Sequence, residues 1–324
     1  MQGGYGPLTS GSPNAEGITT VPDSGTTDSL TEKLILPHET PDPAITDARR
    51  DEIRIGGSTK PMEDDSVTNS PAVEALTVDL WYTLIYPTPA VRTSIERTRR
   101  AVWAESLREN GCSTKRAATW AARIDRAAEE AELEGWSPSW DERVERWSRR
   151  IGVRLDANRL AELFVAKVPV DQVHVAPGAE KALDQLRRRG FRLAIVSNVT
   201  HEPPQAIHDL LTRHQLARRF DVVVLSTDVG RAKPRREPFR SALSQLGAAP
   251  GRTVHIGDAA ADFQGARAAG IRPLLYTGLN RWKPEQLRKA HRPWMRGALK
   301  VSRWEEVPRT VSFYETLPTV PREV

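Results

Sequence analysis

The sequence predicts an α/β fold in which a parallel β-sheet has helices on both faces. From residue 75 onwards, short apolar segments alternate with segments of helical periodicity, and this alternation is typical of strands joined by crossover helices. The apolar segments are almost continuous runs of Val, Ile and Leu. Such runs favour strands that are covered on both sides.

Five strands and four helices are predicted in order along this part of the chain. The strands are 76–79, 192–197, 221–225, 253–257 and 273–276. Between them, apolar residues recur at helical spacing, and glycine follows three of these segments as a stop signal. The helices begin near residues 179, 204, 237 and 262, and the glycines are Gly190, Gly247 and Gly270.

The interval from Pro87 to Val175 lacks a clear strand pattern. It holds five of the nine tryptophans amid Arg and Glu, which predicts a helical insertion whose tryptophans serve mainly in packing. Because it follows the first strand directly, we expect a lid over the C-terminal edge of the sheet, where open α/β folds bind ligands. The predicted domains are a core of residues 73–87 and 176–314 and a helical cap of residues 88–175.

The first 72 of the 324 residues differ in composition from the rest. They contain no Trp but 8 of the 24 Pro and 8 of the 21 Gly, so few large apolar side chains can offset the entropy of ordering them. We expect a disordered N-terminal extension over residues 1–72 and a tail over residues 315–324. The extension carries 12 acidic and 5 basic residues, a net −7, which leaves +12 on the other 252 residues. A basic body favours anionic partners.

Composition also indicates in which compartment the protein is expected. The single cysteine, Cys112, allows no intrachain disulfide. No apolar run reaches about 18 residues, and the start MQGGYGPLTSG lacks a signal-peptide pattern. We therefore expect a cytoplasmic protein without membrane contact. For the basic stretch from Arg281 to Lys300, which includes Trp282 and Trp294, a solvated surface is favoured over nucleic-acid binding. The sequence leaves the oligomeric state open.

Four short segments at strand ends carry residues suited to catalysis. Since parallel strands present their carboxyl ends at one edge of a sheet, these segments are expected to meet there. A carboxylate at the end of an apolar strand, such as Asp79, is poorly solvated and can attack phosphorus or carbon. The segments are 78–84, 196–198, 230–234 and 256–262.

The other segments supply groups that complement such a nucleophile. Asp258 with Asp262 could hold Mg²⁺, which would offset the repulsion between an anionic nucleophile and an anionic substrate. Lys233 adds positive charge, and the Ser197 hydroxyl could donate to phosphoryl oxygens. The alternative is that Asp258 and Asp262 are a helix cap and a solvated first-turn carboxylate that complements the helix dipole, that Ser197 is an ordinary turn residue and that Lys233 is a loop lysine.

In this order, the four segments resemble the signature motifs of the haloacid dehalogenase superfamily. The resemblance covers residues 74–314 and implies a Rossmann-like parallel sheet with a helical cap inserted after the first motif. It implies that Asp79 is the nucleophile and that Ser197 and Lys233 bind and orient the transferred group. Thr83 and Asn198 are assigned to substrate binding.

The resemblance also implies a Mg²⁺ site. Its expected ligands are the side chains of Asp79, Asp258 and Asp262 and the backbone carbonyl of Trp81. One position departs from the pattern, because the family's phosphatases carry a second Asp two residues after the nucleophile, where this chain has Trp81. That Asp serves as general acid and base, a contribution of roughly 10²–10⁴-fold, and an indole cannot replace it.

The retained fourth motif favours one function over two alternatives. The favoured function is a Mg²⁺-dependent phosphatase that hydrolyses a small phosphomonoester through an aspartyl-phosphate on Asp79. The family's dehalogenases have an aromatic residue at position 81, so a carbon–halogen hydrolase with an ester intermediate on Asp79 is the first alternative. The second is a catalytically weak protein that binds an anionic ligand or nucleic acid on the same fold.

Overall fold

The computed structural model describes residues 73–285 and 298–315. The predicted N-terminal extension and almost all of the predicted tail lie outside the described residues, as does the middle of the basic stretch, residues 286–297. In the ranges that are described, no helix has both the length and the apolar character needed to cross a bilayer.

Six parallel strands form the central sheet, which confirms the predicted α/β fold. The five predicted strands are present, each starting within one residue of its expected position. The sequence did not indicate the sixth, a three-residue edge strand. In spatial order they are β5 (Val222–Leu225), β4 (Arg192–Ser197), β1 (Ala75–Val78), β6 (Thr253–Gly257), β7 (Arg272–Tyr276) and β8 (Leu299–Val301).

The winding of the chain reverses at β1. Strands β4 and β5 follow on one side of β1, and β6, β7 and β8 lie on the other. Open α/β sheets bind ligands at such a switch point, outside the carboxyl ends of the strands. Asp79 directly follows β1, so the residue predicted to be the nucleophile lies at the switch point.

Helices cover both faces of the sheet. Leu76 and Val78 contribute to one hydrophobic cluster, whereas Ala75 contributes to the other, as expected because successive side chains of a strand point to opposite faces. The first face is covered by α5 (Ala179–Arg188), α6 (Pro204–Arg213) and α10 (Val307–Glu315). The second is covered by α8 (Glu237–Leu246) and α9 (Ala260–Ala268), and a single turn, α7 (Ser226–Val229), follows β5.

Four helices occupy the interval predicted to be a helical insertion. Each begins where a Thr, Ser or Asp side chain accepts a hydrogen bond from a first-turn N–H, which satisfies donors that a helix start leaves open. The rings of Trp103 and Trp140 lie 6.0 Å apart within its core. The helices are α1 (Pro89–Glu109), α2 (Thr114–Leu133), α3 (Trp140–Ile151) and α4 (Ala157–Lys167).

The two crossings between core and insertion lie side by side. They form a short antiparallel pair, β2 (Ile85–Tyr86) with β3 (His174–Val175). The interval from Pro87 to Val175 therefore does contain a strand, although two residues are too few to leave a pattern in the sequence. The insertion's standing as a separate cap domain stays a prediction.

Candidate active site

The Asp79 carboxylate lies in a cavity between the carboxyl edge of the sheet and the insertion. Its backbone N–H donates to the Ile256 carbonyl at 2.8 Å, which continues the β1–β6 pairing by one residue. Asp79 is 5% exposed. Its Oδ1 accepts from Lys233 Nζ at 2.5 Å, and its Oδ2 accepts from Thr83 Oγ1 at 2.9 Å. Lys233 therefore orients Oδ1, and the Thr83 hydroxyl lies within hydrogen-bond distance of Oδ2.

Burial raises the pKa of the Asp79 carboxyl well above its ordinary value. The Lys233 charge lowers this pKa in part, while the Asp262 and Asp258 carboxylates raise it further. A carboxylate must be ionised to act as a nucleophile. Asp79 therefore needs nearby positive charge, of which Lys233 supplies one unit.

The Lys233 ammonium group uses all three of its donors within the protein. Besides Asp79, it donates to Asp262 Oδ1 at 2.6 Å and to the Val196 carbonyl at 3.0 Å. Although burial lowers the pKa of Lys233, the Asp262 and Asp79 carboxylates raise it above its usual range. Lys233 is thus a permanently charged group held in one position.

Asp262 holds the Lys233 ammonium group in position. Its Oδ1 also contacts His255 Nε2 at 3.3 Å, and its Oδ2 accepts from the backbone N–H groups of Asp258 and Ala259 at 3.1 and 2.9 Å. These contacts use about all the lone pairs that a carboxylate offers. The role of Asp262 as a metal ligand stays a prediction, and it would require one of these bonds to break.

A buried imidazole extends this network into the sheet. His255 is fully buried, with its Nδ1 at 2.9 Å from Thr77 Oγ1. Burial lowers the pKa of His255, which favours the neutral ring. A neutral ring has one donor and one acceptor, and the Asp262 carboxylate can only accept. The proton is therefore assigned to Nε2, and Nδ1 accepts from Thr77.

Asp258 lies beside Asp79 and is paired with a lysine that sequence analysis missed. Lys283 Nζ contacts Asp258 Oδ2 and donates to the Asp258 carbonyl at 2.9 Å. Lys283 is only 4% exposed. The interpretation of the stretch from Arg281 as a solvated surface is wrong for this residue, because a carboxylate and a carbonyl compensate for its burial.

One sequence signal could have singled out Lys283. The dipeptide Lys-Pro occurs at 60–61, 233–234 and 283–284, and the last two occurrences each lie in a loop that follows a strand of the sheet. The repeated dipeptide alone is a weak signal, because the intervening loop length does not fix where Lys283 points.

The arrangement of Asp79 and Asp258 fits a hard divalent cation. Asp79 Oδ2 and Asp258 Oδ1 both lie within hydrogen-bond distance of Thr83 Oγ1, at 2.9 and 3.1 Å. A hydroxyl has one proton, so one of these oxygens keeps open lone pairs directed at the same space. Carboxylate oxygens of Asp79, Asp258 and Asp262 lie within 4.8 Å of one another. Buried, converging carboxylates are ligands suited to Mg²⁺.

The second predicted motif contributes Asn198 rather than Ser197 to the cavity wall. Asn198 Oδ1 accepts from the Lys233 backbone N–H at 2.8 Å, and its Nδ2 donates to Glu132 of the insertion at 2.9 Å. The Ser197 hydroxyl is buried and donates to the Asn198 carbonyl at 3.2 Å. The predicted contacts of Ser197, Asn198 and Thr83 with a substrate stay predictions.

The cavity has a volume of about 380 Å³ and mixed charge. Its sheet side carries the groups already described, and its insertion side carries two arginines and three glutamates. Arg99 is held by Asp125 at 2.6 Å, whereas Arg92 donates to the Trp282 carbonyl at 3.1 Å. The lining from the insertion comprises Arg92, Ile95, Glu96, Arg99, Glu129 and Glu132.

Trp81 and Tyr82 form the cavity wall next to Asp79. Trp81 is half-buried and packs against the hydrophobic core, so its indole has a structural role. Tyr82 has a φ of 59°, in the left-handed region that side chains rarely adopt. Burial raises the pKa of the Tyr82 phenol, and the neighbouring Arg92 offsets part of that rise. Tyr82 is therefore protonated at neutral pH.

The insertion is docked on the two loops that carry Asn198 and Lys233. The Ala232 N–H donates to the Gly135 carbonyl at 3.0 Å, and the hydroxyls of Ser137 and Ser226 lie 2.8 Å apart. Arg143 donates to the Thr200 carbonyl at 2.5 Å. The structure therefore brings the insertion over the carboxyl edge of the sheet, as a lid would lie.

All four predicted motifs thus meet around Asp79. A profile of haloacid dehalogenase-like hydrolases matches residues 73–270, more than half of the chain. The chain belongs to the haloacid dehalogenase-like hydrolase family. The match contains Asp79, Asn198, Lys233 and Asp258 but ends before Lys283.

Curated relatives of the chain include a protein named for its haloacid dehalogenase-like domain and proteins named as phosphatases. The chain is 38% identical over 105 residues to haloacid dehalogenase-like hydrolase domain-containing protein 3 of Mus musculus, covering 32% of this chain and 40% of that protein. It is 34% identical over 175 residues to a phosphoserine phosphatase of Thermus thermophilus, covering 53% of this chain and 66% of that protein. The chain thus spans less than two thirds of either relative.

Solved structures of haloacid dehalogenase-like proteins also match the chain, at lower identity. A phosphatase of Thermococcus onnurineus is 20% identical with a TM-score of 0.49, and the alignment covers 74% of this chain and 98% of that one.

Proposed function

We propose that this hydrolase is a Mg²⁺-dependent phosphatase that acts on a small phosphomonoester through an aspartyl-phosphate on Asp79. The observation that carries the proposal is the buried Asp79 carboxylate, oriented by Lys233 and Thr83 at the switch point of the sheet. An ionisable nucleophile fixed in this way is suited to in-line attack on phosphorus.

The charge balance of the site supports a divalent cation. Among the described residues that contact one another here, three carboxylates and two ammonium groups sum to −1 when all are ionised (Asp79, Asp258, Asp262, Lys233 and Lys283). A phosphomonoester dianion would be repelled by this sum. Mg²⁺ held by Asp79 and Asp258 would reverse its sign and polarise a phosphoryl oxygen.

The residues of the chain then have defined tasks. An Asp79 oxygen forms a bond to phosphorus while the bond from phosphorus to the ester oxygen breaks. Lys233 stabilises the negative charge on the phosphoryl oxygens, and Asp262 holds Lys233 in place. Water then attacks the phosphorus of the aspartyl-phosphate, which releases inorganic phosphate and restores the Asp79 carboxylate.

The leaving group constrains the substrate. The alkoxide that departs needs a proton, and the Trp81 side chain cannot supply one. We therefore expect esters with acidic leaving groups, such as aryl phosphates, to be hydrolysed faster than alkyl phosphates. Water or a cavity residue must protonate the poorer leaving groups.

Relatives suggest where to search for the substrate. The names of similar proteins include phosphoserine phosphatase and phosphoglycolate phosphatase, both of which denote small phosphorylated acids. The 380 Å³ cavity is of a size that suits small molecules, and Arg92 of its lining is a partner for a carboxylate.

The test is release of phosphate from a panel of phosphorylated metabolites and p-nitrophenyl phosphate, with and without Mg²⁺. Asp79→Asn serves as the blank, and Asp171→Asn, an exposed carboxylate outside the cavity lining, serves as the matched control. We expect Mg²⁺-dependent release in the native protein and in Asp171→Asn, and none in Asp79→Asn. Release that persists in Asp79→Asn would refute the proposal.

The aromatic residue after Asp79 favours a second candidate, a carbon–halogen hydrolase. Such an enzyme forms an ester on Asp79 and needs no proton for its leaving halide. Its test is release of halide from 2-haloacids without added metal, again with Asp79→Asn as the blank. Halide release without phosphate release would replace the phosphatase by this second function.

A further inference from the structure

Lys283 carries a buried positive charge next to the carboxylates that would bind a divalent cation. Its side chain is 1% exposed, and it reaches the site from the loop after β7, far in sequence from the four motifs. Lysine is almost never buried unless it is paired. Here the partner is Asp258, the carboxylate that lies beside the nucleophile.

The two carboxylate oxygens of Asp258 have different partners. Oδ2 is paired with the ammonium group, whereas Oδ1 faces Thr83 and, beyond it, Asp79. The ammonium group is further fixed by the Asp258 carbonyl at 2.9 Å. A cation that binds between Asp79 and Asp258 thus meets a carboxylate that is already neutralised.

We propose that Lys283 is an internal competitor of the divalent cation: Lys283 holds Asp258 when no metal is bound and thereby weakens metal binding. This inference rests on the metal site of the proposed function and adds a residue that sets its affinity. The ammonium charge reduces the attraction of the site for a cation and repels the cation across a buried space, where charge interactions are strong. Lys283 is a positioning residue, since it acts through Asp258.

The test measures metal binding directly, with Mn²⁺ as the probe. Free Mn²⁺ is counted by electron paramagnetic resonance, and dissociation constants are compared between the native protein and Lys283→Gln. The glutamine amide can still donate to the Asp258 carbonyl but carries no charge. Lys283→Arg keeps the charge, and Lys300→Gln removes an exposed charge from β8.

We expect Lys283→Gln to bind Mn²⁺ about tenfold more tightly or better. Lys283→Arg and Lys300→Gln should remain within about threefold of the native protein, because neither removes the buried charge. Equal or weaker binding by Lys283→Gln would overturn the inference. Equal tightening in Lys300→Gln would also overturn it, because net charge alone would then be the cause.

A second readout separates competition from a change in packing. Removal of Lys283 leaves the Asp258 carboxylate buried without its partner, which destabilises the metal-free fold. Lys283→Gln and Lys283→Met should both melt at lower temperature than the native protein without metal and show a larger rise on adding Mn²⁺. A rise no larger than that of the native protein contradicts the proposal.

These outcomes are independent of phosphatase activity. Native protein that binds Mn²⁺ but releases no phosphate would refute the proposed function and leave the role of Lys283 intact. Phosphate release by the native protein, with unchanged Mn²⁺ affinity in Lys283→Gln, would support the proposed function and refute the role of Lys283. Absence of Mn²⁺ binding in every variant would refute the metal site together with the inference.

Discussion

Around Asp79, each charged side chain is fixed by at least two partners. Lys233 is held between Asp79, Asp262 and a backbone carbonyl, and Asp262 is in turn held by His255 and two N–H groups. Catalytic groups that are already oriented need no reorganisation during the reaction. At this scale the proposed mechanism lacks one element, a proton donor at position 81.

Introducing a proton donor at position 81 tests how much its absence limits turnover. Trp81→Asp places a carboxyl group two residues after Asp79, where it can protonate a departing alkoxide. We expect turnover of an alkyl phosphate to rise by roughly tenfold or more, while turnover of p-nitrophenyl phosphate changes little. Steady-state kinetics with both substrates measure the difference, and Trp81→Asn controls for loss of the indole. An equal rise with Trp81→Asn would show that the carboxyl group is not responsible.

Sequence could identify Asp79, Lys233 and Asp258 because each follows a recognisable strand, and parallel strands end at one edge. It could not identify Lys283, since its loop has no fixed geometry relative to the sheet. It also treated His255 as an ordinary strand residue. The partners of a strand side chain become known only when the neighbouring elements are placed. For His255 these partners are Thr77 on β1 and Asp262 on α9.

The junction between β6 and α9 determines where Asp262 lies. A Cβ atom at Gly257 would stand 2.4 Å from Asp262 Cγ, so only glycine lets the carboxylate cap α9 and reach Lys233. Gly257→Ala must therefore displace Asp262. We expect a loss of about 1–3 kcal/mol in the free energy of unfolding, together with reduced turnover.

Urea denaturation and phosphate release measure these two effects of Gly257→Ala. The matched control is Gly251→Ala, because a Cβ at Gly251 meets nothing within 4 Å. Because Gly→Ala at an unstrained position lowers the entropy of the unfolded chain and does not destabilise the fold, Gly251→Ala should keep native stability. Similar losses in both variants would contradict the role of Asp262.

The pair of helices α1 and α2 depends on a buried ion cluster. Asp125 on α2 accepts from Arg99 at 2.6 Å and from Arg100 at 2.7 Å, both on α1. Burial acts to raise the pKa of Asp125, but the hydrogen bond and charge of Arg99, with His201 and Arg100, lower it below its ordinary value. Asp125→Asn should destabilise the protein by about 3 kcal/mol at neutral pH.

The pH dependence of this loss has a definite sign. Because the folded state lowers the pKa of Asp125, the stabilisation is complete above about pH 4 and disappears as the pH falls further. Urea midpoints of native protein and Asp125→Asn should therefore converge in acid. Glu145→Gln, which breaks an exposed pair with Arg149, should cost less than about 0.5 kcal/mol. A constant difference down to pH 3 would contradict the assignment.

At this scale the long elements were predictable and the short ones were not. Helices α5, α6 and α8 begin where apolar periodicity indicated, and α9 begins two residues before its expected start. Strands β2, β3 and β8 have two or three residues each, too few for periodicity to register. They form because neighbouring strands offer unpaired N–H and carbonyl groups.

Across the whole molecule, the insertion and the core share the cavity. The insertion contacts the loop after β4 through Glu132 and Arg143, and it contacts the loop before Lys233 through Gly135. The same loops position Asn198 and Lys233. Widening the cavity by moving the insertion would therefore disturb the groups that are proposed to bind the phosphate.

A reversible crosslink tests whether that movement is needed. The hydroxyl oxygens of Ser137 and Ser226 are 2.8 Å apart and buried, so cysteines at both positions are close enough for a disulfide. We expect oxidation of the double variant to reduce kcat by about tenfold or more, with recovery after reduction. Each single variant under the same oxidant is the control. Full activity in the oxidised form would show that substrate enters without movement of the insertion.

The indole of Trp304 links the C-terminal part of the described chain to the loop after β1. This fully buried side chain donates through Nε1 to the Thr83 carbonyl at 3.0 Å, and Thr83 contacts both Asp79 and Asp258. The region shared with the family ends at residue 270, before β8, Lys283 and Trp304. A fragment cut at that homology limit would lack β7 and β8, which would leave the edge of β6 unpaired and Thr83 without its support. The segment that matches the family profile is thus shorter than the segment that must fold together.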